Sequence, residues 1–373
     1  MEEILIFLDG IKDERQEWKV VHKLKDIVFI VLVSLLASAD DWQEIEIFCK
    51  SNEELLRRYV PLENGIPSHD TMQRVMSCIK PEIMQKINEQ WNKLLNGNEG
   101  EKLKKILCID GKTMRGNGNK NQEPLHVVSA WSKENGVCFG QKSADSKGKE
   151  IPMIEELLDT LCVKGQVVTI DAIGTQREIV KKIRQGKGDY VLAVKANQPS
   201  LHENIALYFE DAELVSQVKK SGAYNKRREK AHGQIETREY FQTTDIKWLP
   251  DKEKWDGLKS IGMVRTTYTS DKGQSTETRY FISSLVADID LFSEAVRGHW
   301  SVESMHWHLD VTFREDKNQT LEKRAAENMN ILRKLALSIL KTFELDKKKY
   351  SLKKKRFAIG CNLSRFIDRL MDL

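Results

Sequence analysis

Two aspartates in this chain close short apolar runs. Asp110 ends ILCID (106–110) and Asp171 ends VVTID (167–171). Runs of that length and composition read as buried strands, and the strand ends of an open sheet face the ligand crevice. Two carboxylates at neighbouring strand ends repel unless a cation lies between them or one is protonated, and a hard divalent ion takes oxygen donors of this kind. The plainer alternative is that each caps a helix or forms a turn. A third acid sits in RGHWSVESMHWHLDVTFRED (297–316). At 3.6 residues per turn His299, Glu303, His306, Asp310 and Arg314 form one polar stripe. Val296, Trp300, Trp307, Leu309, Val311 and Phe313 are spread around the other sides, so the helix is expected to be mostly buried. A buried Glu303 needs a metal or a cationic side chain as partner. Two strand-end aspartates and one helical glutamate would supply a two-metal centre suited to phosphoryl transfer, with ions ~4 Å apart.

Three other patterns lead elsewhere. Gly111-Lys112-Thr113 imitates the end of a phosphate-binding loop, but that motif needs Gly where Ile106 stands. Glu303-x-x-His306 resembles half of a ferritin-type pair, whereas Glu123-x-x-His126 contains Pro124 and lies in a strand. His22 and His69 have no partners in sequence and read as structural or surface residues.

The elements that must carry the acids follow from apolar spacing. Residues 1–100 read as helical: Val20–Ala39, Trp42–Arg58, a helix started by Pro67 with Ser68 or Asp70 as cap, and Pro81–Leu95. After Lys105 the texture becomes strand, hairpin (124–132 and 136–143), helix (149–162), strand, helix (175–185) and strand (189–195). That is the order of a mixed α/β sheet. A helix from Leu201 to about Lys219 and the basic stretch KKSGAYNKRREKAHG precede three strand-like segments, IETREYFQTT, SIGMVRTTYTS and TRYFISSL. Long helices from about Ile289 to Lys317 and from Asn328 to Phe343 lead into a basic tail. The expected domains are 1–100 (helical), 101–345 with an insertion at about 200–288, and the tail at 346–373.

Composition narrows the class. With 40% hydrophobic and 31% charged residues, 7 prolines and 21 glycines, the chain is neither collagen-like nor disordered. The net charge is only +4, yet Lys341–Leu373 holds 10 Lys and Arg against 4 Asp and Glu, which suggests a polyanionic partner or a solvated tail. The six cysteines are scattered, which fits a reducing cytoplasm rather than a disulfide framework. Ile27–Ala39 is too short for the roughly 20 residues that cross a bilayer, so no membrane association is expected.

Five segments, in order, resemble a known family: IDGKTMRG (109–116), VVTIDAIGTQREI (167–179), DYVLAVKANQPSL (189–201), AHGQIETREY (231–240) and RGHWSVESMHWHLDVTFRED (297–316). They are similar to the DDE transposases of bacterial insertion sequences, in the H-repeat-associated (ISAs-type) branch. DERQEWKVVHKLKDIVF and GIPSHDTMQRV resemble the helical segment that accompanies this catalytic domain. The resemblance implies an RNase H-like α/β fold, with Asp110, Asp171 and Glu303 as catalytic and metal-binding triad. It also implies two Mg²⁺ ions, or Mn²⁺ in their place, and DNA cleavage and strand transfer without a covalent protein–DNA intermediate. Related transposases carry a Tyr–Arg–Glu–Lys signature around the glutamate. Here Val296, His299 and Asp310 stand at its Tyr, Arg and Lys positions, so hairpin formation is not implied.

The expected substrate is double-stranded DNA, both the element's terminal inverted repeats and the target, bound by a homodimer or a larger synaptic complex in the bacterial cytoplasm. Lys112 and Arg115 are candidates for phosphate contact, as point charge and as fork. Lys195, Asn197 and Gln198 are candidates for lining the DNA groove, and Arg227, Arg228, Lys230, His232 and Arg238 form a basic cluster read as backbone-binding. Arg297, His299 and His306 are candidates for the phosphate contacts that the signature leaves open. Trp131, Trp300 and Trp307 read as core residues. The rival readings are a nuclease of the same fold without strand transfer, and an inactive DNA-binding relic.

Overall fold

The computed structural model describes residues 2–96, 106–231, 234–271, 273–345 and 349–371. Six helices come first: α1 (Glu2–Asp9), α2 (Leu24–Leu36), α3 (Trp42–Ser51), α4 (Glu53–Leu56), α5 (His69–Cys78) and α6 (Pro81–Asn96). There follow β1 (Ile106–Thr113), β2 (His126–Ser132), β3 (Val137–Ala144), α7 (Glu150–Thr160), β4 (Val167–Ile170), α8 (Arg177–Gln185) and β5 (Asp189–Val194). Next are α9 (Pro199–Glu210), α10 (Ala212–Lys220), β6 (Tyr224–Ala231), β7 (Gln234–Thr243), β8 (Ser260–Ser270) and β9 (Gly273–Ser283). The chain closes with α11 (Ile289–Val311), α12 (Lys323–Thr342), α13 (Leu352–Cys361) and α14 (Leu363–Met371).

Two compact units share these elements. One comprises Met1–Gly100, Gly111–Glu150 and Glu303–Leu373, the other Glu101–Asp110 and Ile151–Val302. In the first unit α12 is the hub, buried from Ala325 to Leu340, with α2, α5, α6 and β3 packed on it. Its buried polar side chains reach partners on those neighbours, as burial without one is costly. Asn328 donates to the Met76 and Ile79 carbonyls (2.7 and 2.9 Å), and Lys334 to Ser129 Oγ and Gln141 Oε1 (2.6 and 2.7 Å). Trp91 Nε1 donates to Ser338 Oγ at 2.9 Å. The N-terminal helices therefore do not stand apart from the C-terminal part of the chain.

Helix ends follow local chemistry. Ser68, not Asp70, caps α5, accepting from Thr71 N at 3.3 Å. The single helix expected over Trp42–Arg58 breaks at Asn52, whose amide donates back to the Phe48 carbonyl at 2.9 Å. Likewise Asp211 divides Leu201–Lys219 by accepting from Glu213 N and Leu214 N (2.8 and 3.1 Å). The helix expected from Ile289 to Lys317 stops at Val311, and the chain then turns through a left-handed Arg314 (φ 50°).

The basic tail forms two helices, and several of its cations are engaged internally. Lys355 Nζ donates to the Leu340 and Phe343 carbonyls (2.9 and 2.8 Å) at the end of α12. Arg356 donates to the Leu35 carbonyl at the end of α2 and pairs with Asp40. Helix C-termini carry unsatisfied carbonyls and partial negative charge, which such cations neutralise.

In the second unit the strands run β1-β4-β5-β9-β8-β7-β6, parallel for β1, β4 and β5 and antiparallel from there on. In the first unit the order is β3-β2 followed by the end of β1, with β2 and β3 an antiparallel hairpin. This is the expected mixed α/β sheet with a β-rich insertion. The basic stretch before β7 proves to be a strand of its own, β6, at the edge of the order. No helix among the described residues is long and apolar enough to cross a membrane.

Candidate active site

Strand register fixes the two aspartates in the second unit. Ile109 pairs with Ile170 in the parallel β1–β4 ladder, so Asp110 and Asp171 follow as the next residues on neighbouring strands. Adjacent strands lie ~4.8 Å apart, so the two aspartates are neighbours just past the last pair of this ladder, Asp110 within β1, which continues to Thr113, and Asp171 directly after β4. One step back, Cys108 pairs with Thr169. Side chains two apart share a face, so Cys108 and Thr169 mark the face of the aspartates. Helix α11 packs on that face. Cys108 Sγ donates to the Gly298 carbonyl at 3.2 Å, and Thr169 Oγ1 lies 3.2 Å from His299 Nδ1.

The turn after Asp171 is held from several sides. The Asp171 carboxylate accepts from Ile173 N at 3.1 Å, so the capping role is realised as well. Asn197 Nδ2 donates to the Ala172 carbonyl at 2.5 Å and Gln198 Nε2 to the Thr175 carbonyl at 3.0 Å. These two amides, expected to line a groove, grip the aspartate's own turn. Gly174 allows the turn its close approach, since a Cβ there would stand 2.3 Å from Ile170 Cγ2. Lys195 is exposed.

In the first unit the residues just past Asp110 are equally constrained. A Cβ on Gly111 would meet His126 Nε2 at 2.6 Å and Glu150 Oε1 at 2.7 Å. That buried His126–Glu150 pair (3.3 Å) therefore requires glycine in IDGK. Lys112 is no free phosphate ligand. Its ammonium is bound by Asp310, Glu315 and Asp316 at 2.8, 2.9 and 3.2 Å. Burial opposes the charged ammonium, but Glu315 and Asp310 outweigh it and its pKa rises. Burial would raise Glu315 too, yet Lys112 and Arg333 hold its carboxyl down at about 2, helped by Asn330 Nδ2 at 2.8 Å. At Asp310 burial prevails over Lys112, and the carboxyl is raised. Arg115 is 84% exposed, its Nε 4.0 Å from Asp316 Oδ2.

Helix α11 is less buried than its composition suggests. Phe292, Ala295, Val302, Met305 and Leu309 form its buried line, while Glu303 is exposed and Trp307 and Val311 are each 56% exposed. Trp307 is thus a surface residue, Trp131 a core one, and His306 half-buried. Glu303 follows His299 by one helical turn. Among the described residues no group of three or more His, Cys, Asp or Glu is gathered to hold a metal ion. The donor chemistry of Asp110 and Asp171, hard oxygens on neighbouring strands, nevertheless suits a divalent cation.

The basic cluster divides between two faces of the second unit's sheet. Arg227 pairs in register with Arg238 on the face toward α11, and Arg227 Nη2 donates to Ser293 Oγ at 3.0 Å. Arg238 is 4% exposed, ion-paired with Glu236 and with Glu229 (3.4 Å), which rules it out as a surface contact. Trp300 is half-buried beneath three guanidiniums, with Arg238, Arg297 and Arg279 at 4.7, 5.0 and 5.8 Å from its ring. Arg297 also meets Glu229 at 3.3 Å. Arg228 and Lys230, alternating with Arg227 along β6, are exposed on the opposite face. His232 lies outside the described residues.

The apolar strands that carry Asp110 and Asp171 are legible in the sequence, and what surrounds the two residues is not. Thr169 and Cys108 were available from the two-residue alternation. The carboxylates on Lys112 come from about 200 residues away and leave no local signal.

Residues 101–339 match the family described as Transposase DDE domain, and residues 5–92 match the DDE_Tnp_1-associated domain. YncI of Escherichia coli O157:H7, named as a transposase, is 38% identical over 368 residues, covering 96% of this chain and 93% of that protein. The H repeat-associated YhhI of Escherichia coli K12, also named as a transposase, is 35% identical over 348 residues, covering 91% and 90%. YbfQ of the same strain, named an inactive transposase, is 46% identical over 65 residues, 17% of this chain and 77% of that protein. The mixed sheet flanked by helices is the RNase H-like arrangement of this family's domain. On sequence match over most of its length, and on that fold, the chain belongs to the DDE transposases, in the H-repeat branch.

Proposed function

We propose that the protein is a DNA transposase that cleaves and joins DNA at the ends of its own insertion sequence, with Asp110, Asp171 and Glu303 as its three acids. The observation that carries this reading is the register that makes Asp110 and Asp171 neighbours just past the last pair of the parallel β1–β4 ladder. Both would ligate divalent metal, Mg²⁺ by preference, with Glu303 as third donor. Bound there, such ions polarise a phosphoryl group and ease deprotonation of the attacking water or hydroxyl. The chain's own contribution is positional. Asn197 and Gln198 fix the Asp171 turn, and the Thr169–His299 contact holds the His299 turn of α11 on the face of the aspartates.

For DNA contact the exposed cations are the fitting candidates: Arg115, Lys195, Arg228 and Lys230. Arg227, Arg297, His299 and His306 stand behind them as partly buried side chains. Lys112 and Arg238 are excluded because their charges are neutralised internally. Because two element ends are joined at once, the working species is a dimer or larger. The test is strand transfer of pre-cleaved end DNA with divalent metal. Wild-type protein is expected to join such ends, and cleavage without joining would reduce the protein to a nuclease.

A further inference from the structure

In the first unit a cavity of about 500 Å³ opens between the chain before α2 and the exposed side of α5. Arg15, Lys19, His22, Thr71 and Arg74 line it over a floor that includes Val75, and no carboxylate lines it. The volume is within the range of small-ligand sites. Arg15 is fixed by Asp13 (Nε to Oδ1, 2.8 Å) and by the His22 carbonyl (2.9 Å). Arg74 donates to Thr71 Oγ1 at 3.1 Å, and neither Arg74 nor Lys19 forms an ion pair among the described residues. The nearby acids, Glu17 and Asp70, point to other surroundings: Glu17 lines a neighbouring cavity and Asp70 meets His69 at 3.4 Å. Trp18, next in sequence to the lining residue Lys19, is 80% exposed, with the Lys19 ammonium 4.6 Å from its ring. An indole left in water next to unpaired cations has the two features that bind a single strand: a stacking platform and a charge for the backbone. A duplex offers no free base face to such a ring.

We propose that this cavity takes a phosphate of a DNA strand while Trp18 stacks on an unpaired base beside it. The inference rests on the reading of the protein as acting on DNA, and it makes the N-terminal helices a single-strand contact. The test is fluorescence anisotropy of the full chain, in chelator, with a short labelled single strand and a duplex. Trp18→Ala is expected to weaken the single strand about tenfold or more and to leave the duplex within about twofold. Trp18→Phe should restore most of the loss. Lys19→Ala with Arg74→Ala should flatten the salt dependence by about 0.7 for each phosphate no longer neutralised. Equal binding of the single strand by wild type and variants overturns the inference alone. Competition by AMP as effective as by the oligonucleotide also overturns it, in favour of a free nucleotide. If the wild type binds neither DNA form, the transposase reading itself fails.

Discussion

At the residue scale, the aspartates depend on small neighbours and borrowed amides. Asn197→Ala removes the bond to the Ala172 carbonyl, worth about 1 kcal/mol to the Asp171 turn. Since catalytic geometry is sensitive to small displacements, strand transfer at saturating DNA should fall ~10-fold or more, with DNA affinity unchanged. An unaltered rate would show that the turn holds its shape alone. Gly111→Ala should cost about 1–3 kcal/mol in a thermal or denaturant melt, because the new methyl enters the space of the His126–Glu150 pair. An alanine variant as stable as wild type would mean that the pair moves aside freely. Asp110 and Asp171 were legible in the sequence because a buried strand advertises itself as an unbroken apolar run. Lys112 was misread because its partners, Glu315 and Asp316, are neighbours only in the folded chain.

At the scale of elements, the junction of β1, α11 and α12 is ionic. Lys112 meets Asp310 on α11, while Glu315 beyond it meets Asn330 and Arg333 on α12, the latter at 3.6 Å. Removing one partner strands a buried charge, so Glu315→Gln should destabilise the protein by about 3–5 kcal/mol. The sign of its pH dependence follows from the carboxyl held at about 2 in the folded state. A depressed carboxyl contributes fully above its ordinary value of about 4.3 and loses that contribution as pH falls toward 2. The stability gap between wild type and Glu315→Gln should therefore narrow over that window. A constant gap in denaturant melts across it would contradict the ion network.

Strands β1, β4 and β5 and the β2–β3 hairpin could be read from apolar pattern, but β6 could not. Its Lys226, Arg227, Arg228 and Lys230 look like solvated loop, whereas such charges suit the edge of a sheet, where they discourage pairing with another chain. The exposed side of α11 was missed for a similar reason. Trp307 and Val311 suggested a buried helix, yet the buried line runs through Phe292, Val302, Met305 and Leu309.

At the scale of the whole molecule, the family match covers most of the chain, and the two compact units cut across sequence order. A near-neutral body of net charge +4 makes DNA binding a matter of local cations. Arg228→Ala with Lys230→Ala should weaken duplex binding and lower the salt slope by roughly 0.9 for each phosphate left without its cation, whatever the sequence bound. An unchanged slope would remove that face of the insertion from the DNA interface.

The most direct measurement is strand transfer by Asp110→Asn, Asp171→Asn and Glu303→Gln proteins, each compared with wild type for joining of end DNA and for DNA affinity. Each substitution is expected to lower joining by roughly 10²-fold or more while leaving affinity in place. Near-normal joining by any one of the three would contradict the assignment of that acid to the centre.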